Sequence, residues 1–184
     1  MKKILLMCFI YIFAAISTAN AVLKAASEVV NYSCSSKEDN RIFCVDEDGK
    51  PLTGKIKKRS GDKYTSIENY LKGYRNGLVT IFNNEGGLLE RVYYKQGIKN
   101  GMDKIYYPNR SIWILANYNN GLLNGRVDVY DSKGKLMGRM HYNKGILDSG
   151  YCRNNQNQKT DLTINEIKSW QFNLLYNCGT SGTL

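Results

Sequence analysis

The sequence predicts a mainly β protein: tandem β-hairpin repeats forming an elongated antiparallel sheet, with one C-terminal α-helix as cap. Three observations carry that prediction. Tyrosines and glycines recur every 24 residues. Between them, apolar and polar residues alternate with the two-residue period of a strand. Near the end of the chain the alternation gives way to a helical spacing, as expected of a repeat array closed by a different terminal element.

The chain opens with Lys2 and Lys3, an apolar run from Ile4 to Ile16, and the small-x-small sequence Ala19-Asn20-Ala21. That order is the pattern of a secretory signal peptide over residues 1–21, cut before Val22. A retained anchor is the alternative, but the run is well short of the roughly 20 apolar residues that span a bilayer. The mature chain is expected in the periplasm or outside the cell. It keeps 24 basic residues against 16 acidic ones, a net charge of +8. Such a charge favours solubility. It would also draw an anionic membrane or polysaccharide surface, whereas nucleic acid is not an expected partner of an exported chain.

Residues 22–48 form an N-terminal cap with "RIFCV" as a strand. Cys8 leaves with the signal, so the disulfide candidates are Cys34, Cys44, Cys152 and Cys178. Four cysteines in an oxidising compartment imply two disulfides and permit three connectivities. Proximity favours Cys34–Cys44 and Cys152–Cys178, each worth about 3 kcal/mol on the chain-entropy model. A four-thiolate zinc site is the rival reading, but the paired C-x2-C spacing is missing.

Residues 49–150 hold the repeats. Tyr70, Tyr94, Tyr118 and Tyr142 fall in one column, and Gly73, Gly97, Gly121 and Gly145 lie three residues later. Gly77, Gly101 and Gly125 follow, then Ile81, Ile105 and Val129, with Phe82, Tyr106 and Tyr130 beside them. Gly49 stands 24 residues before Gly73, and "GKPLTGKIKK" carries the second glycine shifted by one. In the 118 unit, Val127 and Val129 alternate with Arg126, Asp128 and Tyr130, and "LMGRMHY" supplies a second strand. "DSKG" between them is turn chemistry, matched by "NNEG" and by "YPNR", where Arg110 replaces glycine at some cost. Each unit is a hairpin, and stacked hairpins share a face that a lone one cannot stabilise.

Residues 151–184 change character. "RNNQNQKT" at 153–160 reads as a polar linker, and a helix is expected over about 163–177. Ile164, Ile167, Trp170 or Gln171, Leu174 and Leu175 share one face there, Thr163 with Glu166 makes a capping box, and Gly179 makes a stop.

The repeat columns resemble the MORN repeat family, particularly its bacterial variant, in which units read Tyr-x-x-Gly-x-x-x-Gly, strand, turn-Gly-x-Leu, strand. "YNNGLLNGRVDVYDSKGKLMGRMHY" is a close match, and the units from Tyr70 and Tyr94 vary at the second turn. The resemblance covers about 46–150. It implies stacked hairpins and a binding role: family members have been linked to protein contacts, to membrane phospholipid and, in bacteria, to antitoxins.

No residue pattern points to catalysis, a metal or a cofactor, so the chain is expected to be non-enzymatic. His141 is the one histidine, without a nucleophile motif near it. "DED" at 46–48 lacks the ligand spacing of a calcium loop and reads as a solvated turn. Two sets of residues are candidates for partner binding. One is aromatic: Phe82, Tyr106, Trp113 and Tyr130, since tyrosine is enriched at interfaces and a thin sheet cannot bury both faces. The other is the basic strip Lys55, Lys57, Lys58 and Arg59, within a stretch of 50–75 that holds eight basic and two acidic residues. Aromatics at strand spacing also serve as cross-strand core pairs, and lysines also protect strand edges. The sequence therefore predicts an exported protein that binds another protein of the cell envelope, an immunity or antitoxin role being a special case. The alternative is an adaptor for an anionic membrane surface.

Overall fold

The structure, a computed structural model, describes residues 31–60, 63–154 and 156–162. Strands β1 (Tyr32–Ser36) and β2 (Ile42–Asp46) form a small hairpin of their own. A twelve-stranded sheet follows, beginning with β3 (Gly54–Ser60), β4 (Tyr64–Leu71), β5 (Tyr74–Arg75) and β6 (Gly77–Asn83). It continues through β7 (Leu88–Lys95), β8 (Ile98–Tyr106), β9 (Ile112–Asn119) and β10 (Leu122–Leu123). The last four strands are β11 (Gly125–Tyr130), β12 (Leu136–Asn143), β13 (Ile146–Arg153) and β14 (Lys159–Asp161). Spatial order follows chain order without crossover, with β5 and β10 as short segments pairing with β4 and β9. All connections are therefore between sequence neighbours.

The turns explain the repeat. At the Tyr-x-x-Gly corners, Lys72, Gln96, Asn120 and Lys144 take φ of 48–50° and the next glycine about 83°. Two successive residues with positive φ make the tight hairpin turn whose twist suits antiparallel strands. The corner glycine N–H groups of Gly97, Gly121 and Gly145 donate to the carbonyls of Arg75, Lys99 and Leu123, tying each repeat to the one before. Gly73 has a further reason to be glycine. A Cβ there would lie 2.2 Å from the Phe43 ring, which closes the N-terminal hairpin onto the first repeat. At the other end of each unit a side-chain oxygen builds the turn. Asp46, Asn83 and Asp131 each accept from the two backbone N–H groups two and four residues on. Arg110 occupies the glycine position of the third such turn with φ 67°, a left-handed conformation that disfavours side chains.

The main core holds Ile114, Ala116, Val127, Val129, Met140 and Leu147. A second cluster, Cys44, Leu52, Ile56 and Tyr70, forms where β2 packs on the first repeat. Cys34 and Cys44 face each other across β1 and β2 and are disulfide-bonded. Cys152 is also disulfide-bonded. Cys178, expected as its partner, lies outside the described residues.

The C-terminal expectation is corrected. Composition predicts a polar linker at 153–160, and apolar spacing with a capping box predicts a helical cap after it. Instead the chain turns back at once, and β14 pairs antiparallel with β13, Cys152 opposite Thr160. The turn is made by Asn154, whose side chain accepts from the Gln158 N–H, and by Asn157 at φ 67°. A polar run thus supplies turn residues, and the unpaired backbone groups of β13 recruit the strand that follows. Among the described residues, the edge of β13 is covered by a strand where a helix is expected. The predicted helix at 163–177 and the signal peptide at 1–21 lie outside the described residues.

Candidate binding surface

Directly paired residues of an antiparallel sheet share a face, so the register divides the side chains into two sets. One ladder runs Lys58, Ser66, Ile81, Glu90, Ile105, Ile114, Val129. It carries the buried clusters and is the core face. Its neighbour runs Lys57, Ile67, Thr80, Arg91, Lys104, Leu115, Asp128 on the opposite, open face.

The core face is not uniformly apolar. Allowing the one-residue shift of the first copy, Lys58 stands in the column of Ile81, Ile105 and Val129. Glu68 stands in that of Val92, Ala116 and Met140. The two are buried together. Glu68 accepts from Ser66 Oγ at 2.8 Å, from Tyr70 Oη at 2.7 Å, and from Arg75 through Nε at 2.7 Å and Nη2 at 3.1 Å. Lys58 Nζ donates to Tyr70 Oη at 2.7 Å and lies 3.7 Å from Glu68. The Tyr32 ring and the disulfide sulfurs cover the ammonium from above. Burial pushes the Glu68 carboxyl upward, but Arg75, Tyr70 and Lys58 outweigh it and hold it below its ordinary value. Burial pulls Lys58 down by more than Glu68 restores.

One repeat later a second polar group sits on the same face. Lys99 bridges Asp103 at 2.8 Å and Glu90 at 3.2 Å, with its ammonium 5.1 Å from the Tyr118 ring. Asp103 is 3% exposed, and its Oδ1 has no hydrogen-bond partner among the described residues. Burial, opposed by Lys99 and reinforced by Glu90, pushes its carboxyl up to about 6. Among the described residues no group of three metal-ligating side chains accompanies it.

The open face has a different character. Tyr93 is 45% exposed and Met102 is 39% exposed. With Leu78, Arg91 and Lys104 they line a cavity of about 280 Å³. Leu78 is opposite Tyr93, and Arg91 is opposite Lys104. The alternation of β6 and β8 sets Phe82 and Tyr106 further along this face, both half-buried. Tyr130, in the next repeat, donates to Asp128 at 3.3 Å. Asp128 is itself buried between Arg126 and Arg139.

The sequence-predicted sites separate accordingly. Phe82, Tyr106 and Tyr130 share a column of the open face. Trp113 is buried at 6% and packs on Tyr107 at 5.6 Å between centroids. Lys55, Lys57 and Arg59 are exposed and paired with Asn69, Ile67 and Thr65, whereas Lys58 turns to the core face. The basic strip is thus split between faces. Leu78, Arg91, Tyr93, Met102 and Lys104 were not singled out from the sequence. Their signal was available: Leu78 and Met102 are apolar at positions out of phase with Val79 and Asp103. It is weak because the next repeat has Arg126 there. His141 is exposed, opposite Arg126 on the open face.

Among the described residues no helix is long and apolar enough to cross a membrane. In comparison with known proteins, no family model and no curated protein matches the chain.

Proposed function

We propose that this chain is an exported, non-enzymatic repeat protein that holds another protein of the cell envelope against the open face of its sheet. The observation that carries the reading is the pairing of exposed Tyr93 and Met102 around a cavity flanked by Arg91 and Lys104. Aromatic residues, methionine and arginine are the side chains enriched at protein interfaces. The signal-like leader, the Cys34–Cys44 disulfide and the MORN resemblance support an envelope location and a binding role. An immunity or antitoxin-like activity is a special case of the same reading.

A second reading has its own observation. Lys55, Lys57 and Arg59 are exposed on the same face, as an adaptor for an anionic membrane surface would require. Salt separates the two, because exposed charges are screened beyond about 8 Å at physiological strength. The test is to immobilise the oxidised mature chain, residues 22–184, and pass solubilised envelope proteins of its own organism over it. One protein retained at low and at physiological salt supports the protein-binding reading. Retention of lipid alone, and only at low salt, supports the adaptor and removes the first reading.

A further inference from the structure

Between Gly54 and Tyr106 the strand charges are sorted by face. The carboxylates Glu68, Glu90 and Asp103 all lie on the core face, matched by Lys58, Arg75 and Lys99. The open face holds Lys55, Lys57, Arg59, Arg91, Lys95 and Lys104, and none of these six makes an ion pair among the described residues. Arg91 and Lys104 are directly opposite each other on neighbouring strands. Like charges in that position repel. Further along the same face the chain solves the equivalent problem internally. Arg126 and Arg139 are both held by the buried carboxylate of Asp128, at 3.0 and 2.7 Å. At Arg91 and Lys104 no carboxylate among the described residues does the same.

We infer that the partner presents an acidic segment to this face: an Asp or Glu carboxylate set between Arg91 and Lys104, next to a bulky apolar side chain seated among Leu78, Tyr93 and Met102. This rests on the reading of the open face as the binding surface and adds the chemistry of what binds. The partner's carboxylate takes the part that Asp128 plays for Arg126 and Arg139. The cavity has an apolar lining as well as its two cations, so it accepts a mixed acidic and apolar sequence better than a purely anionic one. A flexible methionine beside it can adapt to the shape of the anchor.

The test uses random short peptides displayed on phage and panned on the oxidised mature chain at physiological salt. Retained peptides are then synthesised and titrated by fluorescence anisotropy. Two double variants are compared with wild type, Arg91→Gln with Lys104→Gln and Tyr93→Ala with Met102→Ala, each first shown to melt as wild type does. Phosphatidylglycerol vesicles are assayed alongside. The expected result is enrichment of Asp or Glu next to Leu, Ile or Phe, with affinity falling about tenfold or more in each double variant, as for truncated interface charges and anchors. Peptides that lack acids yet lose affinity in the Tyr93/Met102 variant overturn the acidic partner and leave the open face as the binding surface. Peptides indifferent to both variants overturn the inference and the binding surface together. Vesicle binding with no peptide retained makes the occupant lipid and overturns the inference.

Discussion

At Glu68 the core face holds a carboxylate, a phenol, a hydroxyl and two cations. Two repeats further on, at Ala116, and again at Met140, the same column holds hydrocarbon packed against Val127, Val129 and Leu147. The turns and pairings of the two halves are alike. The difference shows that this scaffold is set by its corner glycines and strand alternation, while the filling of a column is free if each polar atom is met. Around Glu68 the carboxylate is met four times over. Around Asp103, between the two halves in sequence, it is met incompletely. A buried charge that is fully hydrogen-bonded is tolerated, and one that loses its partners is costly.

The comparison breaks first at Glu68. Glu68→Ala leaves Lys58 and Arg75 half-buried without their carboxylate and should cost about 3–5 kcal/mol in urea unfolding. Replacing the group together, Lys58→Ile with Glu68→Val and Arg75→Leu, copies the later repeats and should recover most of that loss. If the triple variant is as unstable as the single one, the columns are not interchangeable. In the apolar half, Met140→Ala removes a buried side chain and should cost about 3 kcal/mol, from lost burial and the cavity left. Cys34→Ser with Cys44→Ser opens a loop of sequence separation 10 over Lys58 and Tyr70. The loss expected from loop entropy is about 2.7 kcal/mol. Hydrogen exchange should place that loss in residues 31–75 and leave the strands after Ile112 protected.

A further effect is in pH. Asp103 has a folded-state value of about 6 against an ordinary 3.8. The folded chain therefore binds this proton more tightly than the unfolded chain. Stability should fall as pH rises from about 4 to 6, and the penalty is then fully present above that window. Glu68 has the opposite sign: its contribution is present above its ordinary 4.5 and lost as pH falls through its depressed value. Asp103→Val, which copies Val79 and Val127, should abolish the decline between pH 4 and 6. Melting curves of the variant that still fall over that interval would assign the proton elsewhere.

Much of the architecture was legible because it depends on local chemistry. The Tyr-x-x-Gly corners, the Asp and Asn turns and the alternating strands each announce themselves within a few residues, and Cys34 and Cys44 lie close enough to suggest their bridge. The misses depend on distant partners. Polar residues at 153–160 read as linker because composition cannot see the unpaired edge of β13. Lys58 read as one more cation of an exposed strip, since its burial follows from Glu68 and Arg75, ten and seventeen residues away. Tyr93 and Met102 escaped because the repeat averages out positions that differ between units. The binding surface is made of such positions: columns that repeat build the sheet, and those that do not can be specific.

The division of labour between the faces is tested most directly by hydroxyl-radical footprinting, with and without the protein captured from the envelope. Tyr93 and Met102 are exposed and readily oxidised. The account predicts that their oxidation falls sharply in the complex while that of Leu122 and Ile146, exposed at the tight corners, is unchanged. Unchanged oxidation of Tyr93 and Met102 with protection at those corners would contradict it.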